Sequence, residues 1–231
     1  MTTAQRLVWD LPIRLVHWAL LATVVGSYVT DLLGPAWFAW HVACGCIVLV
    51  LVTFRIVWGF VGTRHARFTS FVRGPAVLMA YLRPKRIPDT SKPMAGHNPL
   101  GGLGIVIMLV LLLAQAGTGL FANDDIDNAG PFFGWVSDGL SNRLTSIHHF
   151  VFTLLEIMIG LHVGAVLFYL SVKRRNLLTP MLTGRKDAGS VPPGEEIHGS
   201  RPWLALLLLA ILALLLLWAL RLAPPVSFSA Y

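Results

Sequence analysis

The chain has 231 residues, 55% of them apolar and only 13% charged, with a mean hydropathy of +0.69. That composition excludes an ordinary water-soluble domain and points to a helical membrane protein. The net charge of +7 is scattered through the links between apolar runs, which excludes a nucleic-acid surface. The two cysteines exclude a disulfide framework, and no C-x-x-C-H occurs, which excludes covalently attached c-type haem.

Five runs are predicted to span a membrane: Ile13–Leu33, Trp37–Val61, Pro99–Phe121, Thr145–Val172 and Trp203–Leu222. The first follows a charged, Trp-bearing segment with no small-residue cleavage site after it. It is therefore expected to stay in place as a span rather than be removed as a signal peptide. Cys44 and Cys46 in the second run point away from each other on a helix and are read as packing residues. Phe68–Arg83 is too short to span, and its mix of apolar and basic residues suits either an interfacial helix or a plain loop. Asp187–Ser200, with Pro192, Pro193 and Gly194, reads as a flexible polar tether. The fifth run is almost pure Leu and Ala and reads as a packing or assembly helix.

Orientation follows from the links. Arg6 and Arg14 flank the start of the first run. Arg64, Arg67, Arg73, Arg83, Lys85, Arg86 and Lys92 lie between the second and third, and Lys173, Arg174, Arg175, Arg185, Lys186 and Arg201 follow the fourth. The opposite links hold Asp31, Asp124, Asp125, Asp127 and Asp138, with Arg143 as their one base. The excess of Lys and Arg places the N-terminus in the cytoplasm and the C-terminus outside.

Histidine within hydrocarbon is expensive and marks a functional site. His17, His41, His148 and His162 all lie inside runs. His148 and His162 sit fourteen positions apart, about 21 Å along a helix and within roughly 40° of one face. His149 falls about 140° away from the face of His162. With the orientation above, His41 and His148 share an outer depth, and His17 and His162 share an inner one. Two such pairs are what two bis-histidine haems require. Cross-helix hydrogen bonding is the alternative for any single one of them. Gly26, Gly45, Gly117, Gly119, Gly160 and Gly164 would make room for the rings. Arg14 and Arg55 are placed to meet haem propionates, or else to snorkel to lipid phosphate. Glu156 is read as a proton relay or a cross-helix hydrogen bonder. His65, His97 and His198 are expected in solvated or interfacial positions.

The segments VWDLPIRLVHW (Val8–Trp18), HVACG (His41–Gly45), RIVWGFVGTRHARFTSFVRGP (Arg55–Pro75), GHNPLGG (Gly96–Gly102) and IHHF with GLHVGAVL (within Ile147–Leu167) carry a resemblance to the bacterial cytochrome b561 family. That family includes the b-type cytochrome subunits of nickel–iron hydrogenases. The resemblance implies a four-helix membrane bundle binding two b haems, with ligands falling by motif on His17, His41, His148 and His162. It departs from the family at His149, where an acidic residue is common, and in the fifth run, which is additional.

The fold class expected is therefore all-α: residues 1–186 as a di-haem four-helix membrane domain, 187–201 as a cytoplasmic tether, and 202–231 as an extra C-terminal transmembrane helix and tail. The axial pairs expected are His17 with His162 and His41 with His148. The activity expected is electron transfer, as a component of a respiratory oxidoreductase in the bacterial inner membrane. Its partners would be membrane lipid, quinone or quinol, and a c-type cytochrome, hydrogenase or dehydrogenase subunit. A stand-alone redox enzyme acting on superoxide or ferric ion is one alternative, and a non-haem transporter or scaffold is another. Acidic outer links would steer a basic partner.

Overall fold

The computed structural model describes residues 4–83 and 95–224. Lys85, Arg86 and Lys92, part of the basic link used for orientation, lie outside these residues. The protein is an all-α membrane helical bundle. Among the described residues, five helices are long and apolar enough to cross a membrane. They are α1 (Leu11–Leu32), α2 (Phe38–Val61), α5 (Pro99–Gly119), α6 (Asp138–Ser171) and α8 (Pro202–Leu222), with three short helices between them: α3 (Phe68–Phe71), α4 (Pro75–Leu82) and α7 (Leu178–Thr183). Large apolar side chains such as Leu15, Trp40, Val110, Leu161 and Leu214 are exposed, as lipid-facing positions should be.

The chain forms two compact units, each built from separated stretches of sequence. The first comprises residues 1–16, 55–108 and 158–205. Its centre is Asp10, only 1% exposed. One Asp10 oxygen accepts the Ile13 amide at 2.8 Å, capping α1, and the other accepts the Trp58 indole N–H at 3.1 Å and the Thr63 hydroxyl. Trp58, Val8, Ala66 and Phe71 complete an apolar core around this carboxylate.

The region read as a flexible tether is instead held down. Strand β1 (Gln5–Leu7) pairs antiparallel with β2 (Arg185–Asp187) in the register Gln5↔Asp187, Arg6↔Lys186 and Leu7↔Arg185. The Ile197 amide donates to Leu7 O at 2.9 Å, and the side chains of Val191 and Ile197 are buried. Arg6 and Arg64 pair with Glu196 and Glu195 at 3.6 and 3.5 Å. Both arginines also donate to backbone carbonyls of this segment, Arg6 to Val191 O and Arg64 to Gly194 O. Two apolar anchors and several charge-assisted hydrogen bonds are enough to order a Pro- and Gly-rich segment.

Phe68–Arg83 is two short helices rather than one. Val72–Gly74 runs extended between α3 and α4 because Pro75 disfavours a helical residue before it.

The second unit comprises residues 17–54, 109–157 and 206–231. Helix α6 begins at Asp138, seven residues before the expected apolar onset, and its 34 residues extend about 51 Å. Its polar first turns are anchored to the preceding link. Ser141 donates to Phe121 O at 2.6 Å, and the Asn123 side chain donates to Ser141 and Asn142. In the same link the Asp124 carboxylate accepts the amides of Ile126, Asp127 and Asn128 and the Asn128 side chain. At least one of the acidic groups expected to steer a partner is thus occupied in closing its own loop.

Candidate functional site

His41 lies near the start of α2 and His148 about three turns into α6, both in the second unit. Their ring centroids are 6.4 Å apart with planes at 73°. Imidazole nitrogens bind metals at about 2.0–2.1 Å, so two rings on opposite sides of one ion have centroids roughly 6 Å apart. The pair therefore has the separation that a shared metal requires.

The hydrogen bonds set the tautomers. His41 Nδ1 lies 3.0 Å from Ser27 O on α1. His148 Nδ1 lies 3.0 Å from Gln115 O on α5. A carbonyl oxygen only accepts, so both Nδ1 atoms carry the hydrogen and both Nε2 atoms keep their lone pairs. Metal-bound histidines are typically held in this way, through the nitrogen that does not ligate. The Gln115 amide nitrogen donates to His148 Nε2 at 3.0 Å, while its own buried oxygen has no hydrogen-bond partner among the described residues. Gln115 thus marks His148 Nε2 as an acceptor, and it is the group a ligated metal would displace.

Glycine completes the seat. A Cβ at Gly119 would lie 2.9 Å from His148 Cε1, so the imidazole occupies the space a side chain would fill. Gly26 is taken up in the same sense by the Cys44 thiol, at 3.2 Å, which gives Cys44 the packing role expected of it. At Gly45, Gly117, Gly160 and Gly164 a Cβ would meet nothing within 4 Å. Those four positions leave open space beside α2, α5 and α6. His149 is exposed, and so is Glu156.

His17 opens the second unit and His162 belongs to the first. His17 is half-buried against Trp18, with ring centroids 5.2 Å apart. His162 is exposed on α6.

The first unit gathers basic side chains from its helix ends and links. Arg55 is 6% exposed, its guanidinium lying over Phe68 at 5.4 Å and Phe71 at 5.9 Å. Its Nη1 is buried without a hydrogen-bond partner among the described residues, as is Nε of Arg14, whose Nη1 donates to Leu182 O. Buried guanidinium nitrogens left without acceptors fit an anion such as a carboxylate. His65 is buried, with Nε2 2.6 Å from Glu195 O. Lys186 donates to Ala95 O at 2.7 Å, and burial, aided by Arg175, brings its pKa down to about 8. His97 packs on Trp9 at 4.6 Å and Phe71 at 5.3 Å. Burial, then Arg55, Lys186, His65 and His162, hold its pKa at about 3. His65 and His97 are therefore part of the core rather than solvated, since each packs against residues far away in sequence.

His97 makes a pH prediction. Its pKa is depressed in the fold from 6.5 to about 3, so the unfolded chain binds the extra proton first as pH falls. Stability should decline between about pH 6.5 and 3 and be unaffected by this group above that window. Thermal unfolding of the detergent-solubilised protein at about pH 7.5 and pH 5 should show a smaller acid-induced loss for His97→Gln than for wild type. Equal losses would assign the acid sensitivity elsewhere.

Among the described residues there is no cluster of three or more His, Cys, Asp and Glu that would hold a bare metal ion. The donor set of the second unit is one opposed imidazole pair, His41 and His148, and the first unit holds buried arginine nitrogens without acceptors; these chemistries suit a haem and its propionates rather than a zinc centre.

Comparison with known proteins gives the same direction. The sequence model of the family described as prokaryotic cytochrome b561 matches residues 8–184. A probable Ni/Fe-hydrogenase B-type cytochrome subunit from Azotobacter vinelandii is 29% identical over 211 residues, covering 77% of this chain and 86% of its own length. Proteins of the same description from Azotobacter chroococcum and Rhodobacter capsulatus are 28% and 27% identical, covering 77% and 78% of this chain and 86% and 80% of theirs. No solved structure matches the chain.

Proposed function

The chain belongs to the prokaryotic cytochrome b561 family, and from that premise we propose that it carries two b haems and passes electrons between the quinone pool and a hydrogenase. It is a multi-pass membrane protein of electron transfer. The observation that carries the haem reading is the His41–His148 pair, with ring centroids 6.4 Å apart and both Nδ1 hydrogens committed to backbone carbonyls, so that the Nε2 lone pairs are left for a metal. The hydrogenase partner rests on relatives described as Ni/Fe-hydrogenase B-type cytochrome subunits.

In this reading His41 and His148 would hold one haem, and His17 and His162 would hold the other. Arg55 and Arg14 meet propionates with the guanidinium nitrogens that have no partner within the protein. A bound haem supplies one-electron chemistry between ferrous and ferric iron. The chain's own contribution would be to hold each iron through two imidazoles and to keep water away from the group with apolar helices. The excess of Lys and Arg in the links supports an N-terminus in the cytoplasm and a C-terminus in the periplasm. Residues 1–186 form the haem-binding domain, and α8 is an addition to it.

The test is a reduced-minus-oxidised spectrum of the purified protein with haem extracted and counted. Two b haems per chain are expected, and His162→Ala should remove one while leaving the signal of the other. A protein without b-type absorbance, or with one haem per chain, would refute this reading.

A further inference from the structure

Each Nδ1 of the His41–His148 pair faces two oxygens, one from a carbonyl and one from a hydroxyl. For His41 they are Ser27 O at 3.0 Å and Ser27 Oγ at 3.2 Å. For His148 they are Gln115 O at 3.0 Å and Thr118 Oγ1 at 3.3 Å. The two acceptor sets sit on α1 and α5, and each serves the next long helix in the chain. Thr118 Oγ1 places its own hydrogen on Ala114 O at 2.7 Å, leaving lone pairs for the imidazole. Hydroxyls that bond back to their own helix are common in membrane spans, and Thr23, Thr30 and Thr145 do so here. Thr118 differs from these three in having a histidine N–H within reach.

We propose that Ser27 and Thr118 are positioning residues that set the electron donation of His41 and His148. Through those ligands they would hold the midpoint potential of the haem below the value that the carbonyls alone would give. The proposal rests on these two histidines being axial ligands. An N–H drawn towards two acceptors shifts electron density onto Nε2 and makes the imidazole a more basic ligand. A more basic axial ligand stabilises ferric over ferrous iron, and such hydrogen bonds are among the recognised controls of haem potential. The arrangement is matched on the two sides, so both ligands of one iron are tuned in the same sense.

The experiment is a redox titration of the holoprotein for Ser27→Ala, Thr118→Val and the double variant. Each single change should shift the midpoint of one haem to a more positive value and leave the other haem unmoved. The double variant should shift further, since the hydroxyls act on different ligands. Thr118→Ser restores the hydroxyl and should return the wild-type potential, which separates tuning from packing. Unmoved potentials with full haem content, or a negative shift, would overturn the proposal. A loss of haem that Thr118→Ser does not repair would also overturn it, by making the role structural. The haem-free protein offers a second readout, in which nitrogen-15 NMR of the imidazoles should show Nδ1–H tautomers whose proton resonances move upfield in the variants. The Nε2–H tautomer there would refute the hydrogen-bond premise itself. Correct tautomers combined with two haems retained in His148→Ala would instead show that the ligand assignment had failed.

Discussion

Replacing His148 by alanine is expected to lower bound haem from two per chain to one, whereas His149→Ala should leave both. The two residues are adjacent and chemically identical, so composition and expression burden cancel in the comparison. What separates them is direction: His148 is seated against Gly119, held by Gln115 O and opposed by His41, while His149 is exposed. His41→Ala should reproduce the His148 result, because on the proposed ligation removing either imidazole would leave the iron with a single protein ligand. Electron delivery to the partner should then fall to background. Haem content that stays at two in His148→Ala and drops in His149→Ala would reverse the assignment.

The largest effect on stability is expected at Asp10. Asp10→Ala deprives the Trp58 indole, the Thr63 hydroxyl and the Ile13 amide of their acceptor, all in buried surroundings. It also removes a carboxylate whose charge acts on the buried Arg55. Removing one member of a buried charged network costs about 3–5 kcal/mol, a large part of the stability of a typical domain. Hydrogen exchange is the informative measurement, because the disturbance belongs to one unit. Amides in residues 5–16, 55–72 and 187–200 should lose protection, while those in residues 109–157 keep it. Uniform loss along the chain would mean that the carboxylate supports the whole molecule, and no loss would mean that it supports nothing. Asp10→Asn should be milder, since it keeps one acceptor oxygen.

These two residues also show which parts of the molecule could be read from sequence. His148 stood out because an imidazole in an apolar run breaks the pattern, and because helical periodicity converts spacing into face and depth. The five long helices were visible for the same reason: hydrocarbon demands an unbroken apolar stretch. Asp10 was not visible, being a single acid just ahead of a helix, and its partners Trp58 and Thr63 are about fifty positions away. The register of β1 on β2 joins residues more than 170 apart through strands of three residues, too short to leave a period of two. Composition made residues 187–200 look loose, since Pro, Gly and charge are shared by linkers and by segments pinned through a few contacts. The early start of α6 was hidden because Asp138–Arg143 is polar, and its anchoring by Ser141 and Asn142 is a property of the facing link. Ser27, Gln115 and Thr118 are ordinary residues within spans. Only the position of an imidazole beside each of them gives them a role.

The pairing of β1 with β2 bears on how the protein is made. Leu7 is synthesised long before its partners Arg185 and Ile197, which follow almost two hundred codons later. Four long helices must enter the bilayer before the first unit can close, so its N-terminal segment waits through most of translation with an apolar surface uncovered. Such delayed, non-local pairing is slow, and it exposes intermediates to aggregation and proteolysis. Ribosome-bound chains arrested before residue 185 should therefore be cut readily near Leu7, and chains arrested once residue 200 has cleared the exit tunnel should resist.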